Sequence, residues 1–95
     1  MKPAEREDWI LAYIRARVTS TAYWVNVCDA AFVDRYIEAC KPARVGIRTY
    51  GAHTVPQLGR DLSRMFKANR LQRRCTGLGD MHSMGFPSWV WEYTL

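Results

Sequence analysis

The chain has 95 residues, of which 48% are hydrophobic and 24% are charged, with a formal net charge of +5. These values predict one folded domain over residues 1–95 and exclude a disordered chain, and no apolar run is long enough to cross a membrane. The charged amino end lacks the pattern of a secretory signal, and three cysteines are an odd number without the spacing of a zinc site. We therefore expect a cytoplasmic protein with reduced thiols and no bound metal.

Basic residues are concentrated in one part of the sequence. Residues 41–75 contain nine lysines and arginines but only one acidic residue, whereas residues 1–40 and 76–95 are slightly acidic. A positive field of this size is typical of a protein that binds nucleic acid or an anionic surface. It is also typical of a solvated face that keeps a small protein in solution, so the charge alone leaves both interpretations open.

The first half of the chain predicts two helices with a short strand between them. Apolar residues at three-and-four spacing indicate a helix over residues 3–17, with a proline in its first turn. The aromatic and β-branched run at 23–28 favours a strand. Asp29 is a suitable N-cap for a second helix over residues 30–41, which ends before a proline. Residues 41–53 show no period and are predicted to be a loop with at most a short extended piece.

The second half predicts a helix followed by two strands. The run Thr54-Val55-Pro56-Gln57 fits a capping box, so a third helix is expected over residues 55–69. Strands are expected over residues 71–75 and 88–95, joined by a glycine-rich loop over residues 76–87.

The last strand is unusually aromatic. Trp89, Trp91 and Tyr93 alternate along it and are expected on one side of the strand. We expect these rings in the core, packed on Trp9 and Tyr13 of the first helix. A stacking platform for single-stranded nucleic acid is the alternative, because aromatic rings interleaved with cations can stack bases.

The order of these elements resembles the winged helix-turn-helix family, in which the last two strands form a hairpin whose loop is the wing. The resemblance is strongest over residues 54–95 and rests on Leu58, Leu62, Phe66 and Leu71, on Arg73 and Arg74, and on the closing Trp-Val-Trp-Glu-Tyr-Thr-Leu. It implies an α+β fold of three helices and a small antiparallel hairpin. It also implies a compact transcriptional regulator, of a bacterium or a mobile element, that binds duplex DNA. One departure is the loop of about a dozen residues before the third helix, where a typical member has a short turn.

The third helix is predicted to have an apolar side and a basic side. The outward side is expected to carry Gln57, Arg60, Arg64 and Lys67, with Asp61 at its flank. In a major groove, arginine can donate two hydrogen bonds to guanine and glutamine can pair with adenine. The Thr54 end offers free N–H groups to a phosphate. Solvent-facing helices are also commonly charged, but they usually mix both signs.

Two further cations precede the wing. Arg73 and Arg74 are adjacent, so they should point to opposite faces of the strand and contact phosphates, one of them with its stem over the aromatic face. The predicted DNA-binding residues are thus Thr54, Gln57, Arg60, Arg64, Lys67, Arg73 and Arg74. Gly59 is expected where another element packs closely on the third helix.

No catalytic set is apparent in the sequence, since no nucleophile adjoins a base and no glycine motif cradles a phosphate. We therefore expect neither enzymatic activity nor a cofactor. The alternative function is a winged-helix interaction or inhibitory module that docks an acidic protein partner. That module would use the loop residues Met81, Met84 and Phe86, or the longer loop around Arg48 and Tyr50. If the protein forms a homodimer, the first helix or the last strand would have to supply the interface, because no further helix is left over.

Overall fold

The computed structural model describes residues 1–77 and 89–95. The described elements are the helices α1 (Pro3–Arg15), α2 (Ala30–Cys40) and α3 (Pro56–Lys67) and the strands β1 (Gln72–Gly77) and β2 (Trp89–Thr94). Three helices followed by an antiparallel hairpin form an α+β fold consistent with winged-helix topology, which confirms the predicted fold class. The predictions for Met81, Met84 and Phe86 lie outside the described residues. No helix in the described ranges is long and apolar enough to cross a lipid bilayer.

The starts of the first two helices follow from local side-chain chemistry. α1 begins with a proline in its first turn, and the Glu5 carboxylate accepts a hydrogen bond from the Lys2 amide at 2.9 Å. α2 begins after Asp29, whose carboxylate accepts a hydrogen bond from the Phe32 amide at 3.2 Å, as predicted for this N-cap. α2 ends at a left-handed Lys41, close to the predicted boundary.

The capping box predicted for α3 is wrong. The helix starts one residue later, with Val55 at the N-cap and no side-chain capping bond. Thr54 lies in an extended bridge with Gly46, where the two backbones exchange hydrogen bonds of 2.7 and 2.9 Å. A Cβ atom at Gly46 would lie 3.2 Å from the Cβ of Thr54, so glycine permits this close approach. The side-chain amide of Gln57 donates a hydrogen bond to the Tyr36 hydroxyl at 3.0 Å and does not bond back to the cap.

The hairpin places β1 beside β2 in an antiparallel register that pairs Arg73 with Tyr93 and Cys75 with Trp91. The strand predicted at 23–28 is reduced to a single bridge, in which Val25 and Tyr93 exchange backbone hydrogen bonds of 2.9 and 2.8 Å. The segment around Val25 therefore lies along the open edge of β2. It ties the α1–α2 connection to the hairpin.

The core lies between the three helices and one face of the hairpin. Its largest fully buried apolar side chains are Tyr36, Phe32, Ile10, Ile14, Leu58, Leu62, Met65, Val25 and Val33. Trp9 and Tyr13 pack on Phe32, with ring centroids 6.3 and 5.0 Å away. The aromatic side of α1 is thus covered by α2.

The predicted packing of the last strand on α1 is therefore wrong for its two tryptophans. Trp89 is 50% exposed and Trp91 is 36% exposed, and only Tyr93 is buried as expected. Their rings contact each other in a T-shaped pair with centroids 5.6 Å apart. Because Phe32 already occupies the surface of α1, the two tryptophans face α3 and solvent.

Candidate nucleic-acid interface

Three cations are exposed along the outer side of α3. Arg60, Arg64 and Lys67 face away from the buried residues Leu58 and Leu62. Arg60 and Lys67 are seven residues apart, which corresponds to two turns and about 10 Å along the helix axis. Within the part of the chain that the structure describes, neither of these two side chains forms an ion pair or a hydrogen bond. They are the two cations of α3 that can accept an external anion without losing a partner.

Arg64 is in a different situation although its side chain is 46% exposed. Its Nε donates to the Glu7 carboxylate at 3.0 Å and its Nη2 donates to the Asp61 carboxylate at 2.5 Å. One carboxylate comes from α1 and the other from the preceding turn of α3. This guanidinium therefore reaches from the outer side of α3 to two acids, one of which belongs to α1.

Asp61 is the centre of this cluster and is completely buried. Arg6 of α1 donates to it twice, at 2.8 and 3.1 Å, and the Tyr36 hydroxyl of α2 donates at 2.6 Å. Burial alone would raise the pKa of Asp61, but the hydrogen bonds from Arg6, Tyr36 and Arg64 outweigh it and lower that pKa. The same burial, reinforced by the bond to Asp61, raises the pKa of Tyr36. One carboxylate thus joins all three helices.

The sequence placed Asp61 at the flank of the outward face and did not identify this cluster. One signal was present, because Arg6 occupies the apolar stripe of α1 at helical spacing. An arginine on a buried stripe needs a carboxylate partner. The sequence does not show which acid supplies it, since the partner lies 55 residues away.

A second carboxylate pair extends the acidic side of α1. Glu7 also accepts from Arg70, which follows α3, at 2.8 Å, and Asp8 accepts from the same guanidinium at 3.3 Å. Two arginines at the carboxyl-terminal half of α3 and just beyond it are therefore neutralised by α1. The net positive charge of residues 41–75 overstates the charge available to a ligand.

The two hairpin cations point to opposite faces, as their adjacency predicted. The guanidinium of Arg73 lies over the rings of Phe66 and Trp91, 3.9 and 4.0 Å from their centroids. Arg74 lies over the Trp24 ring at 4.0 Å and donates to Glu92 at 2.9 Å. Arg73 has only aromatic partners in the described residues, whereas Arg74 is paired with an acid.

The remaining two predicted site residues are occupied by contacts within the fold. The backbone of Thr54 belongs to the bridge with Gly46, and its side chain is exposed before the start of α3. Gln57 is half-buried and directs its amide to the hydroxyl of Tyr36. Of the seven predicted residues, the structure therefore leaves Arg60 and Lys67 as exposed cations without a described partner.

A groove of about 510 Å³ separates α3 from the hairpin. It is lined by Val27, Gly59, Ser63, Arg73, Trp89, Val90, Trp91 and Tyr93. The prediction that Gly59 accommodates close packing is wrong, because a Cβ atom at this position would meet no atom within 4 Å. Gly59 opens onto the groove, and its small size widens the groove beside the two tryptophans.

The three cysteines and His53 do not form a further site within the described residues. All three cysteines are free thiols, with Cys40 buried, Cys28 half-buried and Cys75 exposed. His53 accepts a hydrogen bond from the Arg48 amide through its Nδ1 at 3.1 Å. Across residues 1–77 and 89–95, no group of three or more His, Cys, Asp and Glu side chains is arranged to hold a metal ion.

Comparison with models of protein families, with curated proteins and with solved structures finds no match to this chain. Its function is therefore inferred from the fold and from the contacts of its own residues.

Proposed function

We propose that this protein binds duplex DNA, with α3 in the major groove and the hairpin along the sugar-phosphate backbone. The observation that carries the proposal is the outer side of α3, where Arg60 and Lys67 are exposed and have no carboxylate partner in the described residues. The fold supports it, because a winged-helix topology presents its third helix to DNA in this manner. The protein would act as a small cytoplasmic regulator of transcription, in a bacterium or on a mobile element.

Arg60 is the residue best placed to read a base. It lies one turn into α3, and the end of a recognition helix that contacts base edges is its amino-terminal part. Its guanidinium can donate two parallel hydrogen bonds to O6 and N7 of guanine. Lys67 lies two turns further along the same side and would contact a phosphate as a point charge.

The remaining arginines would act mainly on the phosphate backbone. Arg64, Arg73 and Arg74 are held by carboxylates or aromatic rings, so their guanidinium groups are fixed in position before DNA arrives. A fixed cation loses little side-chain entropy on binding a phosphate. A contact of this kind adds affinity but carries no sequence information.

The direct test is a titration of duplex DNA of two to three helical turns at several salt concentrations, followed by fluorescence anisotropy. Binding should weaken with salt with a slope of about −0.9 per neutralised phosphate. Arg60→Ala and Lys67→Ala should each reduce affinity. Arg35→Ala is the matched control, because Arg35 is an exposed arginine of α2 that lies in the groove between α1 and α2. Absence of duplex binding at low salt, in a folded protein, would exclude the proposal.

A protein-interaction module is the second candidate, favoured by two exposed side chains in the loop between α2 and α3. Ile47 is 78% exposed and Tyr50 is 67% exposed, and large apolar side chains exposed within a few residues of each other can mark an interaction site. The same titration separates the two candidates. An interaction module of this kind would show no salt-dependent binding to DNA and would lose its partner on Ile47→Asp.

A further inference from the structure

The groove between α3 and β2 has properties that duplex binding does not require. Two tryptophans of β2 form one wall, and the other wall is made by the small residues Gly59 and Ser63 of α3. Trp89 is 50% exposed although a tryptophan ring carries a large apolar surface. The other two tryptophans are better covered, since Trp9 packs on Phe32 and Trp24 lies beneath Arg74.

The charge around the groove indicates what kind of ligand would cover these rings. Among the described residues of its lining, the one charged residue is Arg73, whose guanidinium lies 4.0 Å from the centroid of the Trp91 ring. Arg60 follows Gly59 directly and is exposed at the edge of α3. The described lining contains no carboxylate, because Asp61 is buried towards α1 and Glu92 is paired with Arg74 on the opposite face of the hairpin. A groove that has aromatic walls, and cations but no described carboxylate in or beside it, suits a ligand that is both aromatic and anionic.

We propose that this groove binds unpaired bases of single-stranded DNA, stacked on the Trp89 ring, with the adjoining phosphates close to Arg60 and Arg73. Bases stack on exposed aromatic side chains whatever their sequence, and interleaved cations hold the backbone. Paired bases of a duplex cannot enter, because their faces are already covered by neighbouring base pairs. The proposal is therefore separate from the reading of a duplex by α3 and does not depend on it.

The test compares two labelled strands that carry the same phosphates. One is an oligothymidylate of about 12 nucleotides, and the other is an abasic strand of equal length. The wild-type protein should bind the oligothymidylate about five- to one-hundred-fold more tightly than the abasic strand, as expected for stacking of one or two bases. Equal affinity for the two strands would overturn the proposal, since it would leave only backbone contacts.

Variants of Trp89 locate the effect in the groove. Trp89→Ala should remove most of the preference for the strand with bases, and Trp89→Phe should retain most of it. Because Trp89 is half exposed and outside the buried core, both variants should fold, which circular dichroism verifies. A preference that Trp89→Ala leaves intact would place the bases elsewhere and would overturn the assignment.

The same variants titrated with duplex DNA distinguish this proposal from the proposed function. If the protein does not bind duplex DNA but still prefers the strand with bases, and this preference depends on Trp89, only the proposed binding of duplex DNA by α3 is contradicted. If duplex binding is normal and the base preference is absent, only the groove assignment is lost. Binding of an acidic, aromatic-containing peptide in place of the oligothymidylate would also overturn the assignment.

Discussion

Arginines whose guanidinium groups point towards α1 are paired with carboxylates, whereas Arg60 and Arg73, on the side of solvent and the groove, have no carboxylate partner among the described residues. Arg64 and Arg70 contact Glu7, and Asp61 lies buried beneath them. Arg60 is exposed one turn before Arg64, and Arg73 lies over the rings of Phe66 and Trp91. Cations close together in the sequence therefore serve different purposes. Those on the first side hold the helices together, and those on the second have no acidic partner among the described residues.

The largest expected effect is on the first side, from Asp61→Asn. This change leaves the Arg6 guanidinium, whose side chain is 12% exposed, without its anionic partner. Breaking a buried ion pair from one side costs about 3–5 kcal/mol in the free energy of unfolding. Urea denaturation followed by circular dichroism measures the loss.

The matched control is the surface pair of Arg35 and Glu38, whose side chains are 62% and 67% exposed. Glu38→Gln should change the free energy of unfolding by less than about 1 kcal/mol, since exposed ion pairs contribute little. Similar losses in Asp61→Asn and Glu38→Gln would contradict the central role of the buried carboxylate.

The same carboxylate predicts how stability depends on pH. Because the pKa of Asp61 is lowered in the folded protein, the unfolded chain takes up the proton first as the pH falls below its ordinary value of about 3.9. The contribution of Asp61 is therefore complete above about pH 5 and is lost progressively as the pH falls through the folded-state pKa. The stability difference between wild type and Asp61→Asn should be constant from pH 5 to 7 and narrow below about pH 4. A difference that persists undiminished in acid would contradict this assignment.

On the second side, the expected effects concern binding more than stability. Arg60→Ala should weaken duplex binding by about 1–3 kcal/mol on a cognate site if Arg60 reads a guanine, with little change in the free energy of unfolding. Arg64→Ala should lower both quantities, because its guanidinium also binds Asp61 and Glu7. Parallel titration and denaturation of the two variants measures the contrast. Equal losses of duplex affinity and of unfolding free energy in the two variants would contradict the distinction between the two sides.

The sequence predicted the fold class and most element boundaries, because these depend on local signals. Helical spacing, the Asp29 cap and the alternation in the last strand are each read within a few residues. The contacts of the site depend on distant residues. The side-chain amide of Gln57 donates a hydrogen bond to the Tyr36 hydroxyl, and the backbone of Thr54 pairs with that of Gly46. The capping box that fits the local sequence therefore does not form.

The same reason explains the tryptophans of β2. Alternation correctly placed Trp89 and Trp91 on one face of the strand, but it cannot show what that face meets. Phe32 of α2 covers the rings of α1, and the tryptophans are left at the groove beside α3. The hydrophobic period of one helix or strand does not show which of two distant elements will pack on a given surface.

A smaller effect on duplex affinity should result from neutralising Glu7, the carboxylate that pairs with both Arg64 and Arg70. Glu7→Gln should raise duplex affinity about two- to five-fold, because two guanidinium groups lose a competitor to phosphate. Glu5→Gln is the control, since it removes the same charge from α1 but its carboxylate contacts the Lys2 amide and no arginine of α3. An equal gain in both variants would show a general charge effect. Anisotropy titrations at one low salt concentration compare them.

The smallest expected effect distinguishes the groove from the helix that borders it. Gly59→Ala should stabilise the protein by roughly 0.5–1 kcal/mol, because alanine favours a helix and the added methyl group meets no atom within 4 Å. Gly59 lines the groove that also contains Trp89 and Trp91, so the added methyl group should also reduce the preference for oligothymidylate over the abasic strand. Duplex binding through Arg60 should be unchanged. A gain in stability with unaltered base preference would mean that the groove wall at Gly59 is not in contact with the bases.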